Sequence, residues 1–233
     1  MACGLFNRTL LACQNIELFE EATDALITIS HKYESRDEQL CLRILTHIVS
    51  LRPIWNLQLS KLPPSSNSSS SSLSLNAIDP SDLDICRAFT RLFTDVAEAF
   101  IDYLTSLTID AHLQSELLLQ LIDCVKFPHS NEIARIPLKV FYDLSLVSSH
   151  SENIDELCTR FAPIYASLVY VSVHQMLLPM AVLTGKEEIG EDKKADRLDW
   201  RESVGDCREV LGQHSTLQLV VSYAIIYIYN LFL

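Results

Sequence analysis

The sequence predicts an all-α fold in which helical hairpins stack side by side. Apolar residues recur every three to four positions along nearly the whole chain, which is the spacing of one helix face. The 233 residues include only 5 glycines, too few for the many tight turns of an all-β sandwich. The predicted helices are long and joined by short links, which favours helical hairpins over strands that alternate with helices.

The first 60 residues are predicted to form helical hairpins. Ile16–Tyr33 repeats apolar residues at helical spacing through Phe19 and Ile29, and Glu38–Trp55 does so through Leu45. These two segments therefore predict the first pair of helices.

A longer helix is predicted to start at Asp79-Pro80. Asp is a favoured residue before the first helical turn, and Pro suits the first helical position. Asp82 and Asp84 then meet the positive end of the helix. The apolar positions that follow form one stripe, made of Ile85, Phe89, Leu92, Val96, Phe100 and Leu104.

Two helices are predicted on either side of a break at Phe127-Pro128. His112–Lys126 precedes it, and a helix capped by Ser130 follows it. Pro137 lies inside the second helix, removes one backbone hydrogen bond and predicts a kink.

The remaining helices are predicted at Ile154–Val182 and Asp199–Leu211. The chain then divides into helical hairpins at 1–60 and 79–184 and a further repeat helix at 199–214. Residues 61–78 are rich in serine and predict a flexible insert, because such a segment cannot bury a core. The acidic segment 185–198 predicts a solvated linker.

The tail, residues 215–233, contains no charged side chain and leaves three interpretations open. Its 19 residues are at the lower limit for a membrane-spanning helix, so it could be a tail anchor. It could instead be a last buried helix, or the altered end of a shortened gene model. Open ends of a repeat stack expose apolar faces, so self-association is expected.

An internal repeat supports stacked helix pairs. Leu10–Ser30 and Leu121–Phe141 share one layout: two aliphatic residues, a cysteine two positions later, a short link and then a glutamate. These glutamates are Glu21 and Glu132, and their separation would hold about three helical hairpins of about 37–40 residues. This pattern favours a HEAT-type solenoid, an α-α superhelix in which each pair buries its apolar face against its neighbours.

The net charge limits the class of partner, and the cysteines indicate the cellular compartment. The net charge of −12 repels nucleic-acid phosphates and suits basic protein partners, although acidity also serves solubility alone. The 7 cysteines form no C-x-x-C pair, and an odd number of them favours a reducing compartment. The nucleus and the cytoplasm are therefore the expected locations, with no direct nucleic-acid partner.

No catalytic, metal or cofactor site is predicted. The chain has no glycine-rich phosphate loop, no H-E-x-x-H motif and no nucleophile elbow. Phe127–Ser145 concentrates acid/base side chains, but four of them recur at spacings of three and four. Such spacing predicts a ladder of alternating charge on a solvated helix face. The members of this ladder are Glu132, Arg135, Lys139 and Asp143.

Three segments carry a resemblance to a known family. RLFTDVAEAF (Arg91–Phe100) resembles a helix of the transportin-3 and importin-13 branch of importin-β-type nuclear transport receptors. The link and helix after Pro128 resemble the next signature of that branch, and Asp199–Gly212 resembles a later helix start. The matching residues are Arg91, Phe93, Thr94, Glu98 and Phe100; Glu132, Ile133, Phe141, Tyr142 and Leu144; and Trp200, Arg201, Val204 and Asp206.

The resemblance implies a middle segment of a nuclear import receptor, or karyopherin, with structural roles for these signature residues. Its implied partners are basic or Arg/Ser-rich protein cargo, the Phe-Gly repeats of nucleoporins and, for the full-length family, the GTPase Ran. Enzymatic activity and a cofactor are not implied. The alternatives are a HEAT-repeat scaffold of another class and a helical protein held at a membrane through residues 215–233.

Overall fold

The computed structural model of the chain describes residues 16–32, 38–63, 79–177 and 190–231. Every regular element within these ranges is a helix, so the predicted all-α class is confirmed. The chain forms two compact units, Met1–Pro137 and Leu138–Leu233. The Ser-rich insert from residue 64 to residue 78 lies outside the described residues.

Apart from the segments 62–79 and 177–190, the helices follow one another with short connections. In the first unit they are α1 (Ile16–Lys32), α2 (Glu38–Ser50), α3 (Arg52–Lys61), α4 (Pro80–Ala99), α5 (Ile101–Leu104), α6 (Ala111–Val125) and α7 (Asn131–Arg135). In the second unit they are α8 (Leu138–Ser149), α9 (Ile154–Met176), α10 (Glu191–Leu211) and α11 (Gln213–Leu231).

Helices of successive pairs lie side by side in the first unit. α1 packs on α4, where the rings of Phe19 and Phe89 are 4.7 Å apart. α2 packs on α6, where the amide of Gln120 donates to the carbonyl of Ile48 at 3.4 Å. Near the start of α2, Glu38 accepts a hydrogen bond from Thr108, just before α6 begins. The residue numbers of the contacting residues thus increase in the same direction along α2 and α6, so these two helices run parallel.

Within the next pair, α4 and α6 run antiparallel. The Thr90 hydroxyl lies beside the Cys124 thiol, whereas the amide of Gln114 donates to the Leu104 carbonyl at 2.5 Å. Contacting residue numbers therefore increase along α4 and α5 while they decrease along α6, so the helices run in opposite directions. Antiparallel pairs with parallel neighbours are the arrangement that stacked helical repeats require.

The second unit is built around α9 and α10. Their contacts pair Ser172 with Ser203 at 3.4 Å and Arg197 Nε with the Met176 carbonyl at 2.9 Å. The two helices are therefore antiparallel. α8 packs on both, and the hydroxyl of Tyr165 donates to the Phe141 carbonyl at 2.5 Å.

The predicted apolar stripe of α4 is the core of the first unit. All six of its residues are buried, and the stripe continues through the turn at Phe100 into α5. Trp55 from α3 is fully buried against Phe89, Phe93 and Phe127, with ring centroids 5.9–6.4 Å apart. These four aromatic residues join α3, α4 and the turn after α6 into one cluster.

The helix starts agree with the predicted capping residues. The Asp79 carboxylate accepts from the backbone N–H of Ser81, with Pro80 in the first helical turn. The Ser130 hydroxyl accepts from the N–H of Ile133 at 3.4 Å. Each side chain satisfies a backbone donor that the first turn of a helix leaves without a carbonyl partner.

Pro137 interrupts the helix that was predicted to continue past it. α7 ends at Arg135, and α8 begins at Leu138. Proline has no N–H to donate, and its ring clashes with the carbonyl one turn earlier, so the predicted kink is here a break between two helices.

Three predicted helix boundaries were wrong. The segment Glu38–Trp55, predicted as one helix, divides at Leu51 into α2 and α3. α10 begins at Glu191 rather than at Asp199, so most of the predicted acidic linker forms the first turns of a helix. Lys, Glu and Ala have high helix propensity, and their polar side chains do not need a core to remain helical. α9 ends at Met176, with Leu177 as its cap; residues 178–182, also predicted as helical, lie outside the described residues.

The tail forms the last helix, α11, which packs on α9 and α10. Thr216 is buried there, whereas several large apolar side chains on the same helix are exposed, so the interpretation of the tail as a last buried helix is met only in part. Among the described residues, none of the helices combines the length and apolarity that crossing a membrane requires.

Candidate protein-binding surface

The signature helix of the first unit contributes to the core and to a contact between repeats. Phe93 and Phe100 are buried, and Phe93 meets the Trp55 ring edge-on. Thr94 is buried as well, and Glu98 is half-buried. Arg91 is exposed and pairs with Asp24 of α1 at 3.1 Å.

The residues of the second signature are partly buried and partly exposed. Ile133 lies in the core of the first unit, and Phe141 and Leu144 lie in the core of the second. Glu132 and Tyr142 are exposed. The inward residues hold helices together, and the outward ones are available to solvent.

The third signature starts within α10. Trp200 is fully buried, Val204 and Asp206 are half-buried, and Arg201 is exposed. Burial raises the pKa of the Asp206 carboxyl, and the nearby carboxylates of Glu202 and Glu209 raise it further, whereas Arg208 acts in the opposite direction. This carboxylate is therefore ionised at a cost to stability at neutral pH.

Ion pairs link neighbouring helix pairs along one side of the first unit. Arg91 of α4 reaches Asp24 of α1, and Arg87 of α4 reaches both Asp84 and Glu132. Glu132 was predicted to belong to a charge ladder along its own helix, but its pairing with Arg87 joins α7 to α4. Of the predicted ladder, Lys139 and Asp143 pair at 3.3 Å.

An acidic stripe lies beside these ion pairs on α1. It consists of Glu17, Glu20, Glu21 and Asp24, all exposed and spaced so that they cover adjoining positions of one helix side. Sequence reasoning did not single out this stripe, although its spacing is visible in the sequence. Exposed carboxylates arranged in this way attract a basic partner and discriminate against an acidic one.

A second group of carboxylates is already neutralised within the protein. Arg52 of α3 binds Glu116 at 3.1 Å and Asp123 at 2.6 Å, and Lys126 also reaches Asp123. This group acts as an internal contact between α3 and α6. The α1 stripe, in contrast, retains most of its negative charge toward solvent.

His129 in the turn after α6 and the buried cysteines of α4 and α6 are titratable groups whose pKa values the fold shifts. The imidazole of His129 meets the ring of Phe127 edge-on, with the ring centroids 5.6 Å apart, and partial burial lowers the pKa of this imidazole. Burial raises the pKa of the Cys86 thiol to about 12 and also raises that of Cys124, so both remain protonated and unreactive at neutral pH. Within the described ranges, no three His, Cys, Asp or Glu side chains converge as metal ligands.

Residues 81–174, from α4 to near the end of α9, match the family model of the transportin-3/importin-13 second TPR domain. The match supports a partial segment of the transportin-3/importin-13 type over these residues, which are less than half of the chain. The first two signatures lie inside the matched range, and the third lies beyond it. No curated protein and no solved structure matches the chain.

The match also bears on the fold and on the class of protein. TPR and HEAT repeats are both stacked helix pairs, so the match agrees with the helical-repeat architecture predicted from the sequence. The matched family consists of karyopherin-like transport receptors and is not a family of enzymes.

Proposed function

We propose that this chain is a protein-binding segment of a nuclear transport receptor and acts in the import of basic or Arg/Ser-rich cargo. The observation that carries the proposal is the family match over residues 81–174. Stacked helix pairs offer long surfaces to an extended partner. Shuttling between cytoplasm and nucleus, binding of nucleoporin Phe-Gly repeats and release of cargo by Ran-GTP in the full-length receptor belong to the same proposal.

The α1 acidic stripe supports a basic cargo. Its carboxylates lie on the surface, whereas the acidic groups of α6 are held by Arg52. The whole chain is acidic, with a net charge of −12, so its field draws a positive peptide toward the surface and repels a negative one.

Binding of labelled peptides to the full chain tests the proposal. An Arg/Ser-rich peptide should bind, and the affinity should fall as salt is raised; a Glu/Ser-rich peptide of equal length should not bind. Reversing three charges in Glu17→Lys/Glu20→Lys/Glu21→Lys should weaken binding about tenfold, because each exposed charge pair contributes roughly 0.2–1 kcal/mol.

A matched variant separates local from general electrostatics. Glu152→Lys/Asp155→Lys/Glu156→Lys also reverses three exposed charges, in the second unit, and should leave the affinity nearly unchanged. Equal losses in both variants would refute the stripe as the cargo site. Binding that Ran-GTP does not reverse in the full-length receptor would favour a scaffold of another class over a transport receptor.

A further inference from the structure

The exposed side of α11 carries a continuous apolar ridge. Leu217, Val221, Ile225 and Tyr229 follow one another at intervals of four residues, and each is 48–65% exposed. Ile226, beside the ridge, is 54% exposed. Because a large apolar residue in an extended chain exposes roughly 200 Å², these five expose together on the order of 600 Å². That area is at the upper limit of the largest apolar patch on a typical monomer, which marks an interaction site.

We infer that this ridge is the interface of a homodimer, in which α11 packs against α11 of a second copy. A ridge of residues four apart fits the groove beside the same ridge on another helix, and this is the commonest mode of helix packing, with a crossing angle of about 50°. The same surface then serves both copies around a two-fold axis, as a symmetric dimer requires.

The exposed apolar area of the ridge is large enough for an interface with a second copy of the chain. Two ridges would bury about 1,200 Å² in total, which is the lower end of the range for specific protein interfaces. A cleft of about 160 Å³ beside the ridge, lined by Tyr170, Val173, Tyr223 and Ile226 among others, offers a hole for one apolar side chain of the other copy.

Charge favours a second copy over other partners. α11 contains no Lys, Arg, Asp or Glu, so a basic cargo finds no carboxylate there. An anionic membrane surface requires Lys or Arg beside the apolar face, and α11 itself contains neither. Two copies of a chain with net charge −12 meet most favourably along a strip without charge of its own.

Sedimentation of the full chain over a wide dilution series tests the inference, which does not depend on the proposed transport function. The chain should change reversibly from dimer to monomer on dilution. Ile225→Glu should weaken dimerisation at least tenfold, because it buries a charge at the middle of the interface. Leu57→Glu, a similarly exposed position on α3, should leave the dimer intact. Circular dichroism verifies that both variants fold.

Mixing two variants with opposite charges at residue 225 tests whether this residue lies at the centre of the interface. Ile225→Glu and Ile225→Lys should each be monomeric alone and form a heterodimer when mixed, since the two-fold axis passes near the middle of the ridge. A wild-type chain that remains monomeric or forms polydisperse aggregates would overturn the inference. Failure of the mixture to dimerise, or flotation of the wild type with anionic vesicles instead of dimerisation, would overturn it as well.

Discussion

Removal of the Arg52 side chain should destabilise the first unit by about 2 kcal/mol. Asp123 Oδ2 accepts from both Nη2 and Nε of Arg52, at 2.6 and 3.2 Å, and Glu116 accepts from Nη1 at 3.1 Å. Hydrogen bonds to charged groups contribute roughly 1.5–3 kcal/mol when buried, and exposed ion pairs roughly 0.2–1 kcal/mol. These side chains are 26–33% exposed, so about 1 kcal/mol for each carboxylate is appropriate.

The variants should differ in a fixed order. Arg52→Ala also leaves two carboxylates of α6 without their shared cation, so it should have the largest effect. Arg52→Lys keeps the charge but replaces the planar guanidinium by a single ammonium, and should cost about 1 kcal/mol. Asp123→Asn should cost more than Glu116→Gln, because Asp123 accepts two of the three hydrogen bonds.

Urea unfolding measures these differences with a reporter inside the same unit. The chain has 2 tryptophans, Trp55 in the first unit and Trp200 in the second, so a Trp200→Phe background leaves Trp55 as the fluorescent probe. A loss below about 0.5 kcal/mol in Arg52→Ala would show that this ion-pair group is a surface contact without structural importance. Equal losses for Asp123→Asn and Glu116→Gln would refute the assigned geometry.

Two further predictions concern the buried Trp55 and the carboxylate of Asp206, which burial and neighbouring carboxylates destabilise. Trp55→Ala should lower the free energy of unfolding, followed by circular dichroism, by about 3–5 kcal/mol, because it leaves a large cavity. Trp55→Phe should cost less than half as much, because it keeps an aromatic ring in the cluster while it removes an indole N–H that is buried without a partner. Similar losses would contradict this reasoning. The folded-state pKa of Asp206 is raised, so Asp206→Asn should raise the midpoint of unfolding at pH 7, and this gain should shrink as the pH falls through that pKa toward 3.8. A gain that persists below that pH would contradict it.

Helices whose signals are local could be predicted from the sequence. The cap at Asp79 and the stripe that follows it depend only on residues within a few turns, and the structure confirms both. The break at Pro137 follows from the chemistry of a single residue. The start of α10 was missed because a segment of charged residues is compatible with both a linker and a solvent-exposed helix. Hydrophobic periodicity does not distinguish these two structures.

The candidate surface was less accessible to sequence reasoning. The signature residues rest on a resemblance, and the sequence did not show that Phe93 would face Trp55 while Arg91 would bridge to α1. Glu132 looked like a member of a ladder within its own helix, yet it pairs with Arg87, 45 residues earlier. Such partners are chosen by the stacking of helix pairs, which the spacing along one helix does not encode.

The sequence by itself determined that the chain is helical, where most of its helices begin and which side of each helix is apolar, because these properties arise from neighbours in the chain. Only the tertiary structure decided which carboxylates are neutralised by Arg52, which remain open on α1, and which apolar residues of α11 stay uncovered. The physical reason is that charge pairing and burial depend on groups brought together from distant positions. The surfaces proposed for cargo and for a second copy both depend on these tertiary contacts.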